Sequence, residues 1–172
     1  MRFSLLPKQI RHSLTEITPE MLKEQGIRLL MLDFDNTIIP YTTNTPTPEM
    51  ESWLQNMLAS DIRVCVVSNS KRDRVPAFCR QRGIDCVTHA KKPFGKGIGA
   101  CVEKYGFDPC ACALAGDQIF TDTLGANRAG VTSILVTPIN NHNIWLKLRH
   151  IAENPFILVA KNKIAKQNNC KN

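Results

Sequence analysis

Four aspartates fall in two short polar stretches that each follow an apolar run. Asp33 and Asp35 lie in the stretch DFDNT, and Asp117 and Asp122 lie in the stretch GDQIFTD. If the fold brings them together, the four carboxylates cannot all stay ionised unaided, because like charges at close range repel each other. A divalent cation resolves this conflict, and a site made of oxygen ligands favours Mg²⁺. The two stretches therefore predict a magnesium site.

A single residue separates Asp33 from Asp35, so the two carboxylates share one turn. One of them can attack phosphorus and form an aspartyl phosphate, which is a known type of covalent intermediate. The other can protonate the leaving oxygen and then accept a proton from the attacking water, which requires a pKa above the ordinary value. Lys92, in the stretch KKP, adds a cation that can offset the charge of a phosphate ester. These residues favour phosphoryl transfer.

Strands that alternate with helices must position these side chains. Apolar runs predict buried strands at 27–32 and 62–67, and weaker patterns predict strands at 84–88, 112–115 and 132–136. Thr-Pro-Glu sequences open helices at Thr18 and Thr47, and further helices are predicted at 73–82, 96–105 and 121–129. This alternation implies a parallel sheet with helices on both faces, in which ligands bind beyond the carboxyl ends of the strands.

The predicted fold class is α/β, with a single Rossmann-like domain. The chain of 172 residues is long enough for one domain with a substantial core. We divide it into a core at 1–140, with an N-terminal helical segment, and a basic C-terminal helix and tail at 141–172. No run of about 20 apolar residues exists, so no membrane-spanning helix is expected. The N-terminus lacks a signal-peptide pattern, so we expect a cytoplasmic protein.

The stretches DFDNT, SNS, KKP and GDQIFTD, in this order, resemble the four motifs of the haloacid dehalogenase (HAD) superfamily. The chain looks most similar to the YqeG-like proteins of subfamily IIIA, which include phosphatidylglycerophosphate phosphatases. The resemblance extends from about residue 3 to residue 138 and implies a phosphatase with a HAD fold. The gaps between the motifs leave no room for a large cap domain. A site without a cap is open, which favours a macromolecular or lipid substrate.

The resemblance also implies roles for individual residues. Asp33 is the nucleophile and a Mg²⁺ ligand, and Asp35 is the general acid and base, with its backbone carbonyl also on the metal. Lys92 stabilises the developing charge, with Lys91 as the alternative. In full, catalysis is assigned to Asp33, Asp35 and Lys92, phosphate binding to Ser68, Asn69 and Thr37, and metal binding to Asp33, Asp35, Asp117 and Asp122.

Two apolar stripes beside cations raise the question of membrane contact. Such stripes suit interfacial helices on anionic phospholipid, although packing on the sheet is the more common reason for them. From residue 142 onward, six Lys or Arg stand against one acid. The expected substrate is phosphatidylglycerophosphate, with peripheral contact at the inner membrane surface and no nucleic-acid partner. The alternatives are a cytosolic phosphatase of a soluble phosphomonoester or phosphoprotein, and a HAD-fold binding module. The stripes consist of Leu6, Ile10, Leu14 and Ile17, and of Ile144, Trp145, Leu148 and Ile151.

Overall fold

A parallel sheet of six strands forms the centre of the protein. The computed structural model describes residues 3–94, 96–140 and 144–169, and in the last segment it describes the side chains of 153–166. The strands are β1 (Gln9–Arg11), β2 (Leu29–Leu32), β3 (Arg63–Val67), β4 (Asp85–Val87), β5 (Cys112–Gly116) and β6 (Thr132–Val136). Their order across the sheet is β1-β6-β5-β2-β3-β4, and every neighbouring pair is parallel.

Helices connect the strands. Two of them begin at the predicted Thr-Pro-Glu sequences, whereas the helix predicted from residue 121 begins at residue 124. Thr18 and Thr47 each accept a hydrogen bond at 3.2 Å from the backbone N–H three residues later, which satisfies a free amide of the first turn. Short 3-10 turns precede α1 and β5, and a π-helical turn (Ile119–Thr123) leads into α5. The helices are α1 (Pro19–Glu24), α2 (Pro48–Ala59), α3 (Arg74–Gln81), α4 (Lys96–Tyr105), α5 (Leu124–Ala129) and α6 (Ile144–Asn169).

Hydrophobic side chains cover both faces of the sheet, because successive strand residues point to opposite sides. On one face Leu30 of β2 packs in a cluster with Trp53 of α2 and Phe78 of α3. On the other face Met31 belongs to a cluster with Ile98 of α4. The predicted α/β fold with helices on both faces is confirmed. In the part of the chain that the structure describes, no inserted cap domain interrupts this pattern.

The N-terminal segment corrects the prediction of a helix. Gln9–Arg11 form β1, which pairs with β6 at the edge of the sheet, so a helix over 6–17 is wrong. Leu14 and Ile17 are buried in the core, so this half of the stripe packs against the protein, whereas Leu6 and Ile10 are partly exposed.

The second apolar stripe, Ile144 to Ile151, lies outside the side chains that the structure describes. The backbone there forms the first part of α6. Among the helices of the described residues, none combines the length and apolar character needed to cross a membrane.

Candidate active site

The sheet brings the predicted residues to one edge. β2 lies between β3 and β5, and Leu32 is level with Ala115 in the pairing. Because the strands are parallel, the residues beyond their carboxyl ends lie side by side. Asp33 follows β2, Ser68 follows β3 and Asp117 comes directly after β5. The first loop is fixed to its neighbour by a backbone hydrogen bond of 2.9 Å from Asp33 N–H to the carbonyl of Ala115.

Lys92 lies between two of the aspartates. Its Nζ is 2.6 Å from Oδ1 of Asp33 and 2.7 Å from Oδ1 of Asp122, and all three residues are buried. Burial lowers the pKa of Lys92, but the carboxylates of Asp122 and Asp33 outweigh it and raise the net pKa, so the ammonium group keeps its proton. Burial raises the pKa of Asp122, although Lys92 acts in the opposite direction. Lys91 is exposed, so of the two lysines it is Lys92 that lies beside these carboxylates.

Asp33, Asp117 and Asp122 form a group of candidate metal ligands. One carboxylate oxygen of each lies within 4.8 Å of the others. The Thr37 hydroxyl lies between two of them, 3.3 Å from Oδ2 of Asp33 and 3.4 Å from Oδ1 of Asp117, so it can donate to either. The three ionised carboxylates carry three negative charges, and the ammonium group of Lys92 carries one positive charge. The remaining two negative charges would be balanced by a divalent cation. The donors are all oxygen, so these residues fit Mg²⁺.

Asp35 is not a member of this group and pairs with an arginine. Its Oδ1 lies 3.3 Å from Nη2 of Arg74. Burial raises the pKa of Asp35, and the nearby Asp33 raises it further, whereas Arg74 lowers it; the net shift is upward. A raised pKa is what a carboxylic acid needs in order to donate a proton near neutral pH. The metal contact that the family resemblance implies for Asp35 uses its backbone carbonyl and not the carboxylate that pairs with Arg74.

Ser68 and Asn69 shape the loop after β3. The buried Ser68 Oγ accepts a hydrogen bond from the Ser70 N–H at 3.0 Å, which leaves the hydroxyl hydrogen for an acceptor such as a phosphoryl oxygen. The Asn69 side chain binds the backbone of Lys92, accepting from its N–H at 2.8 Å and donating to its carbonyl at 3.0 Å. Asn69 therefore positions Lys92 through its side chain, and a contact of Asn69 with phosphate would have to use its backbone N–H.

Asn36 holds the loop that carries the aspartates, a role that the motif alone does not reveal. Its backbone is left-handed, with a φ of 66°. Its side chain donates to the Asn140 carbonyl and accepts from the Asn140 N–H, both at 2.9 Å. This pair of bonds fixes the loop to the segment after β6. The available signal was the residue type, because asparagine adopts the left-handed region more readily than most residues.

Glu153 of α6 reaches the same edge from outside the motifs. Its buried Oε1 accepts from the N–H of Ile119 at 2.9 Å and from that of Phe120 at 3.4 Å. These amides open the helical turn between Asp117 and Asp122, so α6 is tied to the loop that carries two candidate metal ligands. No local spacing in the sequence connects Glu153 with this loop.

Residues 12–130 match the model of the haloacid dehalogenase-like hydrolase family, and the chain belongs to that family. The matched region includes all four motifs, from the loop of Asp33 to that of Asp122. The resemblance that the motifs indicate is therefore confirmed, and with it the prediction of an enzyme that hydrolyses its substrate.

Two curated relatives and one solved structure illustrate the similarity. The chain is 36% identical over 134 residues, 78% of each chain, to the probable phosphatase YqeG of Bacillus subtilis. It is 28% identical over 165 residues to phosphatidylglycerophosphate phosphatase 1, chloroplastic/mitochondrial, of Arabidopsis thaliana, covering 90% of this chain but only 44% of that protein. Its fold is similar to that of the cobalt-bound deoxy-D-mannose-octulosonate 8-phosphate phosphatase of Haemophilus influenzae, with a TM-score of 0.53 and 14% identity over 74% of this chain and 77% of the other.

Proposed function

We propose that the protein is a Mg²⁺-dependent phosphomonoester hydrolase that forms an aspartyl phosphate on Asp33. The observation that carries this proposal is the buried group of Asp33, Asp117 and Asp122, with Lys92 held between two of its members. Such a group combines a carboxylate nucleophile, metal ligands and a fixed cation, which together suit phosphoryl transfer. Membership of the hydrolase family and the relative named as a probable phosphatase support it.

In the first step a carboxylate oxygen of Asp33 forms a bond to phosphorus while the bond from phosphorus to the ester oxygen breaks. Asp35 gives its proton to the departing oxygen, which leaves as an alcohol. Lys92 offsets the negative charge that develops on the phosphoryl oxygens. When bound by the aspartate group, Mg²⁺ supplies further positive charge to the same oxygens.

In the second step water hydrolyses the aspartyl phosphate. The water oxygen bonds to phosphorus, Asp35 accepts the proton that the water loses, and the bond from phosphorus to the Asp33 oxygen breaks. Phosphate is released, and both carboxyl groups return to their starting states. In this scheme the Ser68 hydroxyl and the Asn69 backbone hold the phosphoryl oxygens, and Thr37 keeps Asp33 aligned with Asp117.

For the substrate, we infer a phosphorylated lipid headgroup, with phosphatidylglycerophosphate as the first candidate. No inserted domain covers the edge of the sheet in the residues that the structure describes, so a substrate embedded in a surface can approach. The exposed Lys71, Arg72 and Lys91 flank the loops of the site and favour an anionic surface. The Arabidopsis relative named as a phosphatidylglycerophosphate phosphatase supports the same class of substrate.

The outer face of α6 suits a peripheral contact with anionic lipid at the inner membrane surface. Leu158 and Val159 are 63% and 54% exposed, and the neighbouring Lys161 and Lys163 are exposed as well. Apolar side chains beside lysines favour the interface of an anionic bilayer. Lys161 also lines a cavity of about 170 Å³ together with Asp117, so this part of α6 lies next to the site. Lipid bound to α6 would therefore lie close to the catalytic residues.

Phosphate release from p-nitrophenyl phosphate tests the activity. We expect release by the wild type with Mg²⁺, and a loss of at least about a hundredfold in Asp33→Asn, which removes the nucleophile. Asp61→Asn is the matched control, because it makes the same chemical change at a side chain that is 93% exposed. Equal activity of Asp33→Asn and the control would contradict the proposed nucleophile.

A substrate panel then separates the lipid from soluble substrates. We expect the highest kcat/KM with phosphatidylglycerophosphate in vesicles that contain phosphatidylglycerol, compared with glycerol 3-phosphate and a phosphoserine peptide. Replacing Leu158 and Val159 together by serine should reduce flotation with these vesicles and leave hydrolysis of p-nitrophenyl phosphate unchanged. Faster hydrolysis of a soluble ester would favour the soluble phosphatase, and no hydrolysis of any ester would favour a binding module.

A further inference from the structure

Arg74, the first residue of α3, contacts both the aspartate loop and the turn that follows it. Its Nη2 lies 3.3 Å from Oδ1 of Asp35 and donates to the Pro40 carbonyl at 3.1 Å, and its Nη1 donates to the Tyr41 carbonyl at 3.3 Å. Its guanidinium carbon lies 5.1 Å from the centre of the Phe34 ring. One side chain thus connects the aspartate loop, the turn that follows it and the start of α3.

We propose that Arg74 is a positioning residue for the proton-transfer step: it orients the Asp35 carboxyl group toward the leaving oxygen and holds the turn at residues 40–41 beside the site. The proposal rests on the proposed function, because it gives Arg74 a part in the hydrolysis of a phosphomonoester. Arg74 acts through Asp35. None of the contacts described above joins Arg74 to the group of candidate metal ligands.

The direction of the Asp35 side chain supports this role. The nucleophile and the leaving oxygen lie on opposite sides of the phosphorus in an in-line displacement. A proton donor for the leaving oxygen must therefore lie away from the group of Asp33, Asp117 and Asp122. Asp35 is not in that group, and Arg74 forms an ion pair with its carboxylate while it donates to the carbonyls of the turn at 40–41. Fixing a proton donor before the substrate binds removes an entropic cost from the reaction.

An arginine is needed for the observed set of contacts. The guanidinium group carries five N–H donors in one plane, so it can donate to two carbonyl oxygens while it forms an ion pair with a carboxylate. The side chains of Arg74 and Asp35 are only 12% and 17% exposed, so water cannot readily replace a lost contact. A lysine has a single nitrogen on a flexible chain and would keep the charge without holding all three acceptors.

The other end of α3 provides a matched control. Arg82 lies 2.7 Å from Oε2 of Glu51, donates to the Phe78 carbonyl at 3.3 Å, and places its guanidinium carbon 3.9 Å from the centre of the Phe78 ring. These contacts are of the same kinds as those of Arg74: a carboxylate, a carbonyl and an aromatic ring. Arg82 follows the carboxyl end of the helix, and it has no contact with Asp35 among those described for the structured residues.

The leaving group of the substrate distinguishes a positioning role from a structural one. p-Nitrophenolate departs readily without a proton, whereas the alkoxide of glycerol 3-phosphate needs one. The constant kcat/KM reports only the steps up to release of the alcohol, before the hydrolysis of the aspartyl phosphate that both esters share. For Arg74→Lys and Arg74→Gln we expect kcat/KM to fall at least about tenfold more on glycerol 3-phosphate than on p-nitrophenyl phosphate, because only the first needs a proton on its leaving oxygen. For Arg82→Lys we expect any loss of kcat/KM to be the same on both esters. Thermal unfolding of each variant, followed by circular dichroism, checks that the folded state is retained.

Equal losses of kcat/KM on the two esters in both Arg74 variants would overturn the role of Arg74 in proton donation to the leaving oxygen. A wild type that hydrolyses neither ester would instead overturn the proposed function, so the two failures are distinct. Hydrogen exchange measured by mass spectrometry tests the contact with the turn without relying on activity. Amides in and around residues 40–41 should exchange faster in Arg74→Lys than in the wild type and in Arg82→Lys, and unchanged exchange would overturn this part of the proposal.

Discussion

A β-carbon placed on Gly116 would lie 2.5 Å from the carboxylate carbon of Asp122. Gly116 is the last residue of β5, and Oδ2 of Asp122 accepts a hydrogen bond of 3.1 Å from the Gln118 N–H in the loop that follows. Because Gly116 has no side chain, the carboxylate of Asp122 can lie directly against the end of β5. From this position Asp122 reaches Lys92, and the group of candidate metal ligands becomes compact.

Gly116→Ala should displace Asp122 and reduce hydrolysis of p-nitrophenyl phosphate by at least about a hundredfold, because catalytic groups lose much of their effect when they move by about 1 Å. The added methyl group should also lower the free energy of unfolding by about 1–3 kcal/mol, measured by urea titration. Gly99→Ala is the control, since a β-carbon there meets nothing within 4 Å. Wild-type activity in Gly116→Ala would contradict this account of the close approach.

Binding of Mg²⁺ should stabilise the folded protein. A ligand that binds only the folded state adds about 2.7 kcal/mol at a free concentration of one hundred times its dissociation constant. We therefore expect the melting temperature of the wild type to rise with Mg²⁺ concentration, and the rise to shrink by more than half in Asp117→Asn. Asp61→Asn, at an exposed position, should keep the full rise. The measurement reads binding and not turnover, so an equal rise in all three proteins would argue against Asp117 as a ligand.

Glu153 should raise the free energy of unfolding, because its carboxylate accepts hydrogen bonds from two backbone N–H groups. Glu153→Ala leaves the Ile119 N–H without this acceptor, and an unpaired buried donor costs about 1–3 kcal/mol. Glu153→Gln keeps an acceptor oxygen and should lose less. Urea unfolding of both variants gives the comparison, with Glu103→Ala as the control at an exposed position of α4. If the two Glu153 variants unfold at the same urea concentration as the wild type, α6 is not held by this contact.

The positions of residues that directly follow buried strands can be predicted from the sequence, because the apolar pattern of a central strand shows where the strand ends. The run of Leu29–Leu32 is apolar on both faces, as a central parallel strand must be, so the place of Asp33 at the edge of the sheet follows from the pattern. The edge strand β1 has only three residues and carries a polar residue on each side of Ile10, so its pattern is too short to distinguish it from a helix. Arg74 and Glu153 escape prediction because their partners are distant in the chain and only the folded sheet brings them together.

Thr37 offers the sharpest test of how the aspartates are aligned. Its buried hydroxyl lies 3.3 Å from Asp33 and 3.4 Å from Asp117, so it can donate to one carboxylate and keep the pair at a fixed separation. Thr37→Val has nearly the same shape but no donor, and we expect kcat on p-nitrophenyl phosphate to fall by roughly tenfold, which corresponds to the free energy of about one hydrogen bond. Thr37→Ser keeps the donor and should retain most of the activity, although it removes a buried methyl group. A larger loss of kcat in the serine variant than in the valine variant would mean that packing of the methyl group, and not the hydrogen bond, aligns Asp33.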